Sequence, residues 1–193
     1  MEKIAYIIPG FDSNKDRTYW KVAAEFRKKG IRARVITIKW KNRVMSDYVR
    51  EFIQKTRTDN VKKRYVLGHS FGAMIGFIAA TEEMKPYQLI LCSLSPYFKE
   101  DLHIKRVKKW RKGLGERRWM DLEGIKFNEL AGKCKCKVTL IVGSKEWKEM
   151  KERTAEAKKR IRGSKVIVIQ DAEHDIAGTA YFDAVKKYIS KLR

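Results

Sequence analysis

Cysteine is scarce in this chain, and the three residues present are too few for a disulfide framework or a four-thiolate metal centre. Cys92 falls in an apolar run and reads as a small core residue. Cys134 and Cys136 form a solitary C-x-C with no second pair to complete a tetrahedral site. No metal and no cofactor is expected. Proline is equally rare, and no repeat, low-complexity tract or linker interrupts the 193 residues, so residues 1–193 read as one domain. Long hydrophobic runs are missing: nothing is long enough to cross a bilayer. Met1-Glu2-Lys3 leads straight into Ile4-Ala5-Tyr6-Ile7-Ile8, too short for a secretory signal core, and a cytoplasmic protein is expected.

Acidic residues are also in short supply. Forty-five Lys and Arg against 23 Asp and Glu leave a net charge of +22, which attracts polyanions in general. The excess is spread through most helical stretches. No helix-turn-helix, zinc-finger or aromatic RNA-binding pattern accompanies it, so it reads as a solvated basic surface without a specific nucleic-acid partner.

Short apolar runs alternate with amphipathic stretches. Strands are expected at Lys3–Ile8, Ala33–Ile38, Lys63–Leu67, Gln88–Cys92, Val138–Val142 and Lys165–Ile169. Helices are expected from about Thr18 to the stop at Gly30, from a Ser46-Asp47 cap to about Lys55, and from Ala73 to before Pro86. Two more run to about Arg162 and over Thr179–Leu192. Carboxylates in the charged helix before Arg162 read as surface pairs, such as Glu149 with Arg153. This alternation predicts a three-layer α/β/α sandwich around a six-stranded, mostly parallel sheet. Residues 99–136 break the rhythm. Ile104, Val107, Trp110 and Leu114 recur at helical spacing, and 105–118 holds eight basic residues and one acid. A further short helix is expected near Asp121, and the whole insertion is expected to lie as a lid.

The pentapeptide Gly68-His69-Ser70-Phe71-Gly72 stands between an apolar strand and a small-residue helix. A serine there is forced onto a sharp turn that lifts its hydroxyl clear of the sheet, and the flanking Gly68 and Gly72 admit close backbone approach. A serine hydroxyl needs an adjacent base, and the base needs a carboxylate to fix its tautomer. Of the three histidines, His69 lies in the turn itself and His103 in the insertion, whereas His174 occupies the loop after the last strand. The acid is Glu146, at the exit of the fifth strand, with Glu149 and Asp171 as alternatives. Two backbone donors are needed for a developing oxyanion: the N–H of Phe71 and, from the loop after the first strand, the N–H of Phe11. Trp40, Tyr97, Trp110, Trp119 and Trp147 are candidates for the walls of a substrate pocket, and the basic insertion suits an anionic group.

Ile7-Ile8-Pro9-Gly10-Phe11, Gly68-His69-Ser70-Phe71-Gly72, Val142-Gly143-Ser144-Lys145-Glu146 and Glu173-His174 resemble the four signature blocks of the α/β-hydrolase superfamily. The resemblance covers nearly the whole chain apart from the insertion. It implies a minimal member that begins at the third strand of the full family sheet. It also implies Ser70 as nucleophile, His174 as base, Glu146 as acid, and Phe11 and Phe71 as oxyanion donors. Glu stands at the acid position where Asp is more usual, and Glu173 precedes the histidine where the family often has Gly. The activity implied is hydrolysis of a small-molecule ester or thioester. The alternative is a non-catalytic binding protein on the same scaffold, using its basic surface for nucleic acid or acidic partners.

Overall fold

The computed structural model describes residues 2–192. Six strands form one all-parallel sheet in the order β2-β1-β3-β4-β5-β6: β1 (Lys3–Ile8), β2 (Arg32–Val35), β3 (Lys63–His69), β4 (Gln88–Cys92), β5 (Lys137–Gly143) and β6 (Lys165–Ile169). The central strands are apolar along their length because both faces of the sheet are covered. Alternate residues go to opposite layers. Ile4, Tyr6 and Ile8 join the core beneath α2 (Met45–Thr56) and α3 (Phe71–Glu82), while Ala5 and Ile7 join the core beneath α1 (Thr18–Lys28) and α9 (Thr179–Ser190). Residues Phe71–Ala80 are all buried, so α3 has no solvent face before its last two residues, and its N-terminus is fixed behind the sheet's carboxyl edge.

Strand β2 ends three residues earlier than its composition suggests. Ile36 still donates to Ile7 O (2.8 Å), but at Ile38 a side chain takes over. Asn14 accepts from Ile38 N (3.0 Å) and donates to Ile38 O (2.6 Å), imitating a neighbouring strand. The chain is thereby drawn off the sheet toward the loop after β1.

The insertion is a chain of short helices: α4 (Lys105–Lys109), α5 (Arg111–Leu114), α6 (Glu116–Glu123) and α7 (Phe127–Lys133). The single helix expected through Ile104–Leu114 is pinched at Trp110, whose N–H reaches back only three residues to Val107 O (3.0 Å). Val107 and Leu114 are buried while Trp110 is 46% exposed. Arg153, on α8 (Lys148–Arg160), does not form the surface pair expected with Glu149. It is buried against Asp101 at the head of the insertion, with its guanidinium 4.3 Å from the Phe127 ring centroid. Burial holds the Asp101 carboxyl above its usual range even beside that cation. The pair clamps the insertion to α8. Among the described residues no helix is long and apolar enough to cross a membrane.

Candidate active site

Loops at the carboxyl ends of β1, β3, β4, β5 and β6 converge on Ser70, as expected for an open parallel sheet. Ser70 sits at φ 56° and ψ −120°, a conformation an L-residue adopts only under constraint. The constraint is visible on both sides. A Cβ on Gly68 would lie 2.2 Å from Gly72 O, and one on Gly72 would lie 2.2 Å from Ile8 O. Ser70 N–H donates to Cys92 O (2.9 Å), which pins the turn to β4.

His174 Nε2 lies 3.0 Å from Ser70 Oγ, and His174 Nδ1 lies 3.0 Å from Glu146 Oε2. A carboxylate offers only acceptors, so Nδ1 carries the proton and Nε2 is left to accept from the serine hydroxyl. Rings flank the imidazole on two sides: Trp147 at 5.7 Å with an interplanar angle of 16°, and His69 at 5.1 Å. The histidine loop is also tied to the acid's turn. Lys145 N donates to Ala172 O (3.0 Å) and Asp171 N to Ser144 Oγ (2.9 Å).

The Glu146 side chain is fully buried. Its Oε1 accepts from Ser93 Oγ (2.6 Å) and from Gly143 N (2.8 Å), so the carboxylate folds back over its own turn and faces His174 with its remaining oxygen. Ser93 is held in turn by Tyr181 Oη at 2.7 Å, and burial pushes the Tyr181 phenol far up. The alternative acids point elsewhere. Asp171 is exposed and pairs with Lys145 (3.0 Å), and Glu149 lies 3.9 Å from Arg106.

Behind Ser70 a second relay runs the other way. Gly10 N–H donates to Tyr19 Oη (3.0 Å), and Tyr19 O–H therefore points at His69 Nδ1 (3.0 Å). His69 Nε2 is buried without a partner, and burial, with a lesser contribution from neighbouring His174, lowers its pKa to about 3. A neutral His69 thus fixes the loop that presents Phe11. The backbone N–H groups of Phe11 and Phe71 have no hydrogen-bond partner among the described residues, and that of Phe71 opens α3.

A cavity of about 400 Å³ opens over Ser70, lined by Phe11, Phe71, Tyr97, Leu114, Trp110, Trp147, Met150 and Ile176, with Ser95 and His174 on its floor. Tyr97, Trp110 and Trp147 therefore stand where a pocket wall was expected, and Trp40 and Trp119 do not. Trp40 is buried behind Phe11 (5.2 Å) and against Tyr48 (4.7 Å), and Trp119 is buried inside the insertion beneath Arg111. No Lys or Arg lines the cavity, contrary to the expectation of an anion-binding lid. Arg106 lies over Trp147 (4.6 Å) and Arg118 over Phe11 (5.5 Å), where they buttress the walls from outside. His103 faces a different depression, with Lys108 and Trp119.

A larger groove of about 670 Å³ between α2, α3 and the insertion carries charges of both signs and none of these groups. Among the described residues no cluster of three or more His, Cys, Asp or Glu is placed to hold a metal ion, and the Cys134 and Cys136 sulfurs touch at 3.7 Å without a third ligand. Sequence reasoning passed over Ser93, Ser95 and Tyr19. Ser93 and Ser95 were hinted at only by their place just after β4, and Tyr19, in the first turn of α1, by nothing in the sequence.

No family model and no curated protein sequence matches the chain. Solved structures do. Est1E from Butyrivibrio proteoclasticus superposes with a TM-score of 0.78 at 15% identity, covering 98% of this chain and 88% of that one. A structure from work on carboxylesterases of the thaumarchaeon Nitrososphaera gargenis gives 0.71 at 17%, with 98% and 90% covered. A dienelactone hydrolase from Anabaena variabilis gives 0.73 at 14%, with 98% and 84% covered. At such identities the likeness speaks for architecture, and the chain has the α/β-hydrolase fold in a six-stranded, all-parallel form.

Proposed function

We propose that the protein is a serine hydrolase that cleaves a small carboxylic ester or thioester through an acyl-enzyme. The observation that carries this reading is the unbroken hydrogen-bonded line Ser70–His174–Glu146, 3.0 Å at each link. Ser70 Oγ attacks the carbonyl carbon as its proton passes to His174 Nε2. The imidazolium is stabilised by Glu146, and the proton goes on to the departing alkoxide or thiolate. Water then enters and loses a proton to the same nitrogen as its oxygen bonds to the acyl carbon; that proton returns to Ser70 Oγ as the bond to the acyl group breaks and the acid departs. The N–H groups of Phe11 and Phe71 receive the negative charge on the carbonyl oxygen in both halves.

The walls suit a flat or apolar acyl group without negative charge, since aromatic faces dominate, no Lys or Arg lines the cavity, and Asp16 and Asp175 stand at its edge. Structural neighbours point to the same class of reaction: they include esterases and an enol-lactonase, and Est1E has been solved with ferulic acid bound. The insertion at 99–136 acts as a lid, contributing Trp110, Gly113 and Leu114 to the cavity.

A fluorophosphonate probe tests the proposal. Labelling at Ser70 that disappears in Ser70→Ala, with turnover of p-nitrophenyl esters or acyl thioesters, is the expected result. A wild-type protein that takes no label, hydrolyses none of these substrates and is retained on DNA in a salt-dependent way would instead be a binding protein on this scaffold.

A further inference from the structure

We propose that Ser95 is a fourth catalytic side chain, donating a hydrogen bond to the Ser70 oxygen in every step where that oxygen bears charge. The inference rests on the hydrolase reading above and extends it. Ser95 Oγ lies 3.1 Å from Ser70 Oγ, as close as the imidazole on the other side. Because Nε2 accepts the Ser70 proton, the hydrogen bond between the two serines has one consistent direction, from Ser95 O–H to Ser70 Oγ. Ser95 is 2% exposed, and Ser70 is the one hydrogen-bond partner of its hydroxyl among the described residues. A buried hydroxyl with a single partner is committed to that partner.

The backbone sets this contact up. β3 and β4 are in register with His69 opposite Cys92, so the loop leaving β4 starts beside Ser70. Ser93, at φ 51°, turns the chain and holds Glu146, and two residues later Ser95 meets the nucleophile. Pro96 then restricts Ser95 to extended backbone. One three-residue loop thus touches both ends of the line from acid to nucleophile.

In acylation the bond from Ser70 Oγ to the carbonyl carbon forms as the Oγ–H bond breaks toward His174. Ser95 keeps its own proton throughout and shares it with the oxygen while charge builds there. In the acyl-enzyme that oxygen is an ester oxygen and a weak acceptor. In deacylation it departs as the leaving group, gains charge, and is again met by the Ser95 proton. A charge-assisted hydrogen bond is stronger than a neutral one, so the contact stabilises the transition states more than the resting state.

Three variants compared with wild type decide the matter: Ser95→Ala, Ser95→Thr and Ser95→Cys. Each is assayed by the second-order rate of fluorophosphonate labelling and by pre-steady-state and steady-state turnover of one p-nitrophenyl ester. Ser95→Ala is expected to lower labelling, acylation and deacylation rates about tenfold each (about 1.4 kcal/mol per step), with KM little changed. Ser95→Thr, which restores a hydroxyl, is expected to recover most of the loss. Ser95→Cys, with similar bulk and a weak donor, is expected to resemble Ser95→Ala.

Wild-type rates in Ser95→Ala overturn the proposal. So does full activity in Ser95→Cys, because shape and not hydrogen bonding would then be what matters. Should Ser95→Ala fail to fold, the Thr and Cys variants carry the same comparison. Absence of labelling in wild type would sink the hydrolase reading itself, which separates the two failures.

Discussion

Acid should destabilise this protein through one imidazole, His69. The unfolded chain takes up a proton there near the ordinary value of 6.5, whereas the folded chain resists until about 3. Below pH 6.5 the unfolded state therefore binds a proton that the folded state refuses, and stability falls as the pH drops, levelling off near pH 3. Integrated from pH 7 to pH 5, the loss is about 2 kcal/mol, or about 4–8 °C in midpoint for a domain of this size.

His69→Asn isolates that contribution. Its amide oxygen can replace Nδ1 as acceptor for Tyr19, but it does not titrate. The smaller side chain costs about 1–3 kcal/mol of packing, a loss that does not depend on pH, so the variant is the less stable protein at pH 7. Urea unfolding followed by tryptophan fluorescence at pH 7, 6 and 5 gives the difference between wild type and variant. That gap should narrow by about 2 kcal/mol from pH 7 to pH 5, because only wild type pays for the buried imidazole. An equal gap at all three values would refute the reasoning, since His69 would then protonate without hindrance in the fold.

Glu146→Gln should lower kcat by about 10³–10⁴ at saturating ester, because an amide can donate to Nδ1 and stabilise the wrong tautomer of His174; a loss under tenfold would remove Glu146 from the acid role. Ser93→Ala removes a 2.6 Å donor from a buried carboxylate and should lower unfolding free energy by about 2 kcal/mol in urea titration. An unchanged midpoint would mean Tyr181 reaches the carboxylate unaided. Gly72→Ala should leave no stably folded protein, with a loss of at least about 4 kcal/mol, because the added carbon would lie 2.2 Å from Ile8 O. A thermal melt like that of wild type would show that the turn can open at little cost.

The sheet was legible because its central strands are apolar on both faces and its strands are separated by helices, a contrast that survives in a single sequence. Ser70 and His174 were legible for a related reason: they follow strands, and histidine is too rare here to leave much choice. Glu146 was legible only as one of three carboxylates, since what selects it is a backfolded turn in which Gly143 N and Ser93 Oγ meet its oxygen. The walls were half legible. An aromatic residue in a loop reads the same whether its ring faces ligand, as Trp147 does, or core, as Trp40 does. The early end of β2 depended on Asn14, 24 residues from the Ile38 backbone it hydrogen-bonds, and no periodicity carries that information. Spacing likewise placed Arg153 one turn from Glu149 but could not foresee a buried partner 52 positions earlier.

Ser70 and His174 are 104 residues apart along the chain. Synthesis at about 5–20 residues per second delivers Ser70 several seconds before His174, the base in the proposed mechanism. In the proposed mechanism Ser70 meets its base only after β6 has docked on β5 and the loop beyond it has closed. Under the proposed mechanism, labelling of Ser70 would mark the final assembly step, and a fluorescent phosphonate added during refolding would read it directly.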